Sequence, residues 1–253
     1  MPTRTREEVT HTTDEKQHRA KRQRTAGSAD ALDFLLRMLI EMCAEGNVAA
    51  VKKILSYGNV NAGEFTGTTA LFEAAQCGHQ EIVQLLLAHP DVDVNTVVDG
   101  GISPLSVASF FRKASVVRLL LDHPGVDANI ADDDGNTPLS EACFGGCESV
   151  VRMLLAHPGV DANKTTNDGC TPLSIVCRGL GMSNRERLSI VRLLLAHPGI
   201  DLNKPNKKGH TPYDFALSFH FRRPERETER EIAAMLHRAG ARATGAVVAH
   251  WED

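Results

Sequence analysis

The phrase Thr137-Pro-Leu-Ser-Glu-Ala142 decides the fold, because it returns along the chain and is each time followed by a second, apolar phrase. Related phrases open at four other positions: Thr69, Ser103, Thr171 and Thr211. Successive openings are 34, 34, 34 and 40 residues apart. The apolar phrase Val150-Val-Arg-Met-Leu-Leu-Ala-His-Pro158 has counterparts that begin at positions 82, 116 and 190. A period of this length indicates a solenoid of stacked supersecondary units.

Each unit contains the signals for two helices. Thr137 is a favourable N-cap, and Pro138 suits the first helical position because its missing N–H would be unbonded there. The phrase at 150–158 is apolar on a wide face, and its final proline cannot continue a helix. One such unit cannot bury its own apolar face, so we expect neighbouring units to stack around a continuous core.

These residues resemble the ankyrin repeat family. The resemblance rests on Asp-Gly-x-Thr-Pro-Leu, then Ala, then Ile/Val-Val-x-Leu-Leu-Leu and Val-Asp-x-Asn, in five units. It implies an all-α ankyrin-repeat solenoid of helix-turn-helix units, with projecting β-turn or hairpin fingers and a concave face of inner helices. The family often has His after Thr-Pro-Leu, bridging backbone groups between fingers. Here the position holds Phe72, Ser106, Ser140, Ser174 and Asp214, and we expect serine to keep part of that network.

The chain divides into a tail, a repeat domain and a second tail. Residues 1–29 lack apolar periodicity and are expected to be disordered. The repeat domain is expected at 30–243, with a cap at 30–60 and repeats that start near 64, 98, 132, 166 and 206; residues 244–253 form a short tail. Turns between helices are expected to be enlarged at 178–187 and 219–230, with a solvated charged face, including Glu229, in the second.

Charge and hydropathy limit where the chain can act. A formal net charge of -4 gives no strong attraction for nucleic acid or anionic membranes. No apolar run reaches the roughly 18 residues of a membrane helix, and the polar N-terminus does not resemble a signal peptide. We therefore expect an intracellular protein, cytoplasmic or nuclear, with six free thiols. The basic cluster Lys21–Arg24 is either a nuclear import signal or part of a solvated tail.

Two side-chain patterns suggest metal binding, but neither has the necessary spacing. Four histidines recur at one repeat position: His89, His123, His157 and His197. Stacked units lie about 10 Å apart, too far for one zinc ion, so we expect these side chains to donate, or carry positive charge, at helix C-termini. The acidic turn of Asp132, Asp133 and Asp134 lacks the late acid of a calcium loop and is expected to be a solvated finger tip.

Other chemical motifs are also missing from the sequence. Cys143 and Cys147 do not form a Cys-x-x-Cys pair and are expected to act as small buried hydrophobes. Neither a phosphate-binding loop nor a Gly-x-Ser-x-Gly elbow occurs. The sequence therefore predicts no catalytic residue, no cofactor and no metal, and a protein that is not an enzyme.

The resemblance implies partner contacts at finger tips and at the exposed ends of inner helices. The corresponding candidate partner-binding residues are Phe65, Gln76, Asp99, Ile102, Phe110, Phe111, Asp133, Asn136, Phe144, Asn167, Arg178, Lys207, His210 and Phe219. Phe110, Phe111 and Phe144 fall on adjacent repeats and form either an exposed aromatic patch or part of the core.

The function that follows is a non-catalytic protein-protein interaction module or scaffold. It would bind another protein, of unknown identity, through its concave face and finger tips. We expect a monomer that binds neither membranes nor nucleic acid. Two alternatives stay open at this point: a nuclear regulatory adaptor that uses the basic N-terminal tail, and a regulatory subunit of an enzyme complex.

Overall fold

The computed structural model describes residues 34–56, 69–90, 92–179, 182–222 and 227–244, without the side chains of 219–222. Within these ranges the chain is all-helical, as expected, with no strand. The helices are α1 (34–45), α2 (Val48–Leu55), α3 (Ala70–Cys77), α4 (Gln80–Leu87), α5 (Pro104–Phe110), α6 (Ala114–Leu121), α7 (Pro138–Gly145), α8 (Glu148–Ala156), α9 (Pro172–Arg178), α10 (Asn184–Ala196), α11 (Pro212–Arg222) and α12 (Glu227–Arg238). Phe65, Lys21–Arg24 and the Phe219 side chain lie outside the described residues.

The helices form two parallel layers, as a helix-turn-helix solenoid requires. The odd-numbered helices from α3 to α11 stack as an inner layer, and the even-numbered ones from α4 to α12 stack behind them. The inner helices begin where the sequence places their caps: the hydroxyl of Thr137 accepts from Ser140 N, and Pro138 occupies the first helical position. The described helices are too short or too polar for any of them to traverse a lipid bilayer.

The core is built from the repeated apolar positions. The leucine of each Thr-Pro-Leu phrase is buried, as are the Val and Leu of the following outer helix; in the third repeat these are Leu139, Val151 and Leu154. Burying each such side chain contributes about 1.5–3 kcal/mol. Since every repeat contributes the same layer, the core is continuous along the array.

The fingers are hairpin-like turns, each closed by two backbone hydrogen bonds, of which the first runs between the ends of the turn. Asp132 N donates to Asn136 O at 3.0 Å, and Thr166 N donates to Cys170 O at 3.0 Å. Neighbouring fingers are also joined, because Asn167 N donates to Asp134 O at 2.8 Å. Gly135 is required for this approach: its φ is +81°, and a Cβ there would lie 2.6 Å from Asn167 N. The fingers therefore form a connected row.

A ladder of asparagines explains the Val-Asp-x-Asn phrase. The side chain of Asn129 donates to Gly159 O at 2.6 Å and accepts from Asp161 N at 2.8 Å. Asn95 and Asn163 make the same pair of bonds to the repeat that follows each of them. Each rung satisfies backbone groups of the next repeat, so the phrase fastens successive units together.

The expectation of two simply enlarged turns was wrong. Part of the first insertion lengthens α10, which starts at Asn184, is capped by Ser183 and has 13 residues. Arg187, expected in the turn, is buried in that helix. The second insertion extends α11 to Arg222 and starts α12 at Glu227. Glu229, expected to be solvated, is buried because it faces Arg187 between α10 and α12.

Two expectations about individual side chains were also wrong. His123 Nδ1 and His157 Nδ1 each accept from a glycine N–H at 3.3 Å, so the nitrogen that meets the chain after the helix is an acceptor and not the expected donor. Ser140 Oγ accepts from Thr137 N and donates to Thr137 O, so its bonds stay within its own repeat and do not bridge fingers. The short serine side chain cannot reach the next finger.

Candidate protein-binding groove

A groove of about 470 Å³ opens on the concave side, between the inner helices and the fingers. Phe110, Phe144 and Arg178 line its helix side, at the ends of α5, α7 and α9. Glu141 and Ile175 also face it from α7 and α9. The finger side is formed by Asp134, Asn136, Thr166, Asn167, Asp168 and Cys170. Its volume falls in the range that holds drug-sized ligands or a few side chains.

Three phenylalanines form an aromatic cluster at one end of this groove. The rings of Phe110 and Phe144 are nearly parallel, with centroids 6.1 Å apart, and Phe111 meets Phe110 edge-on at 5.1 Å. The three residues are 38%, 45% and 42% exposed, in the order Phe110, Phe111 and Phe144, so they are not part of the core. Single exposed apolar residues are common on protein surfaces, whereas a contiguous exposed apolar patch is typical of an interaction surface. The three grouped rings therefore indicate such a surface.

A second group of candidate residues packs together one repeat further along the array. The guanidinium of Arg178 lies 5.7 Å from the centroid of the Phe215 ring, and His210 contacts the same ring edge-on. Phe215 was missed by sequence reasoning. It occupies the fourth position after the cap Thr211, the same position that Glu141 holds after Thr137, so the repeat register places both residues on the same face of their inner helices.

Glu141 is the other residue that sequence reasoning missed. It is half-buried, and burial, followed by the nearby charge of Asp132, raises the pKa of its carboxyl to about 7. Within the described parts of the chain, its carboxylate has neither a hydrogen bond nor an ion pair. Among the described residues, the groove therefore contains an acid that lacks a cationic partner.

The charge of the finger tips changes along the array. Asp99, Asp133, Asn167 and Lys207 occupy equivalent finger positions, and all four are exposed. The tips therefore change from acidic to basic toward the last repeat. Asn167 is also structural, since its side chain donates to Asp133 O at 2.7 Å.

The other candidate residues mainly make contacts within the protein itself. Asp132 holds its own turn by accepting from Asp134 N and Asn136 N. Asn136 donates to Asp132 Oδ2 at 3.0 Å, although its side chain also reaches the groove. Ile102 packs against the core, and Gln76 is half-buried near the end of α3, outside the groove.

The cysteines and the acidic turn show no arrangement for chemistry. All six cysteines are unpaired; Cys143 is buried as expected, whereas Cys147 is only partly so. Burial raises the pKa of the Cys177 thiol to about 12, which keeps it from acting as a thiolate near neutral pH. Among the residues that the structure describes, no three His, Cys, Asp or Glu side chains are grouped to hold a metal ion.

The family follows from the repeats, the fold and two comparisons. A family model described as ankyrin repeats (3 copies) matches residues 25–98 and 91–166, and one described as ankyrin repeat matches 168–207. The chain therefore belongs to the ankyrin repeat family. It is similar to an ankyrin repeat domain from Acinetobacter baumannii AYE, with 30% identity, a TM-score of 0.70, and coverage of 81% of this chain and 98% of that one.

Family membership by itself defines only the general class of function. Ankyrin repeats are generally non-catalytic protein-interaction modules. No curated protein sequence matches the chain. Because 552 chains of solved structures match it, the fold is too widely shared to select a partner. The particular side chains of the groove must therefore carry any more specific argument.

Proposed function

We propose that the chain is a non-catalytic scaffold that binds one protein partner along its concave groove, with the finger tips as a second contact. The observation that carries this proposal is the exposed cluster of Phe110, Phe111 and Phe144 beside the groove. Aromatic side chains at the centre of an interface supply much of its binding energy, whereas surrounding polar residues exclude water. The charged finger tips beside the cluster would form that polar rim.

The rigidity of the surface supports the same function. Fingers are joined by bonds such as Asp133 N to Gly100 O at 2.8 Å, and the inner helices are fixed by the common core. A preformed surface loses little conformational entropy when it binds, so a larger share of the contact energy appears as affinity. We further propose that the chain acts as a monomer in the cytoplasm or nucleus, leaving the groove accessible to its partner.

The test is affinity capture with the full chain and with a variant that carries Phe110→Ser, Phe111→Ser and Phe144→Ser. A matched control carries Arg118→Ser, Arg152→Ser and Arg192→Ser, three exposed residues at one repeat position of the outer helices. We expect the phenylalanine variant to lose the proteins that the unchanged chain and the arginine variant both capture. Equal capture by all three chains would contradict the proposal.

A further inference from the structure

We propose that the groove binds an extended peptide segment of the partner, and that a lysine or arginine side chain of this segment enters between the Phe144 ring and the Glu141 carboxylate. This inference rests on the proposed function and adds the chemistry of the partner. The observations that support it are the charges of the groove walls, the unpaired position of Glu141 and the aromatic surface beside it.

The charges that line the groove are mostly negative. Asp134, Asp168 and Glu141 contribute three carboxyl groups, of which that of Glu141 is about half ionised at pH 7. Among the described lining residues, Arg178 is the one cation. The guanidinium of Arg178 lies over the Phe215 ring in the next repeat, where that ring already stabilises its charge. A basic segment would therefore be attracted to the groove, whereas an acidic one would be repelled.

Glu141 gives that attraction a definite position. Its carboxylate is half-buried and, among the described residues, has no hydrogen-bonding or ionic partner. The raised pKa, about 7, shows that the surroundings disfavour the charged form. A cation that enters the groove would stabilise the charged form of Glu141 and offset this penalty, in surroundings that screen the attraction less than water does.

The aromatic rings select a long cationic side chain over a small ion. Phe110 and Phe144 are nearly parallel and line the same groove as Glu141. The aliphatic stem of a lysine or arginine packs well on such rings, while its charged end reaches a carboxylate or lies over a ring face. Because residues of three successive repeats line the groove, the rest of the segment would continue along the array past the finger tips.

Selection from a display library of random dodecapeptides on the full chain tests the inference even while the partner is unidentified. We expect the enriched peptides to share a lysine or arginine next to an aliphatic residue. An enriched peptide, and the same peptide with this residue changed to glutamine, are then titrated calorimetrically. The glutamine peptide should bind at least about tenfold more weakly, as expected for the loss of a charged contact.

Protein variants assign the contact to the groove. Glu141→Gln removes the charge with almost no change of shape, and we expect it to weaken the basic peptide about tenfold. Glu73→Gln is the matched control, because Glu73 holds the equivalent position in the first described repeat, outside the groove. It should leave the affinity unchanged. Thermal unfolding of both variants verifies that the fold is intact.

The outcomes separate this inference from the proposed function. Enrichment of neutral or acidic peptides, or equal binding by the Glu141→Gln variant, would overturn the basic-segment inference. If such peptides still lose affinity with the three phenylalanine substitutions, the proposed function stands without it. Two outcomes would count against both the proposed function and the basic-segment inference. One is failure to enrich any peptide, and the other is concentration-dependent dimerisation that fills the groove.

Discussion

Arg187 and Glu229 form a buried ion pair, 3.2 Å long, that joins α10 to α12. Their side chains are 4% and 1% exposed. Arg187 also donates from Nε to Val176 O at 2.9 Å and from its terminal nitrogen to Cys177 O, at the end of α9. One side chain thus connects three helices, and the last repeat is attached to the array partly through it.

Removal of Arg187 should destabilise the protein strongly. Arg187→Met leaves Glu229 buried without this ion-pair partner and removes two donors from the α9 carbonyls, so we expect a loss of about 3–5 kcal/mol in the free energy of unfolding. The control Arg192→Met breaks the exposed Arg192–Glu231 pair between the same two helices and should cost at most about 1 kcal/mol. Urea denaturation measures both; similar losses would contradict this account of the pair.

The raised pKa of Glu141 predicts a pH dependence of folding. Because the pKa of this carboxyl is about 7 in the folded chain and about 4.5 in the unfolded one, the native state holds the proton more tightly. This contribution to stability is complete below pH 4.5 and is lost as pH rises through 7, by an amount on the order of 2 kcal/mol, reduced by partial exposure. The charged groups that face Glu141 are Asp132, Asp134, Asp168 and Arg178.

Glu141→Gln isolates this contribution. Its free energy of unfolding, measured in urea at pH 5 and pH 8, should fall less with pH than that of the unchanged chain. An unchanged difference between the two pH values in Glu141→Gln would show that Glu141 does not titrate in this range.

The contact between fingers can be measured with two glycines at equivalent positions. Gly135 and Gly209 have φ values of +81° and +82°, but a Cβ would meet Asn167 N at 2.6 Å in the first case and nothing within 4 Å in the second. Gly209→Ala should therefore cost only about 1–2 kcal/mol for the left-handed backbone. Gly135→Ala should cost clearly more in denaturant titration. Equal costs would mean that the fingers separate easily.

The asparagine ladder gives a prediction for the middle of the array. Asn129→Ala removes both side-chain bonds to the following repeat, and we expect a loss of about 1–3 kcal/mol. Asn184→Ala is the control, since Asn184 is exposed at the start of α10. Chemical denaturation compares the two. A ladder without energetic importance would give the same small effect at both positions.

The repeated features of this fold could be predicted from the sequence, because the same sequence signals recur in each repeat. The caps at Thr137 and Thr171, the buried leucines and the hairpin fingers all follow from local patterns of capping, turns and periodicity. The Arg187–Glu229 pair could not be predicted in the same way. Its partners are 42 residues apart and lie in insertions that have no counterpart in the other repeats.

The groove was predicted only in part for a related reason. The ends of the inner helices pointed to Phe110 and Phe144, but whether their rings are exposed depends on how neighbouring inner helices pack, which the sequence alone left open. Glu141 has the pattern of an ordinary polar helix position. Its raised pKa comes from burial in the groove and from the nearby charge of Asp132 in the adjoining finger, and only the three-dimensional arrangement brings these elements together.

The claim that a partner protein binds along the concave groove is tested most directly by site-specific photo-crosslinking of the full chain in an extract of its native cells. Benzoyl-phenylalanine is placed at Phe144 on the concave side or, as the control, at Arg152 on an outer helix. The groove account predicts a discrete crosslinked partner from position 144 and none from position 152. Partner crosslinks from position 152, with none from position 144, would contradict it.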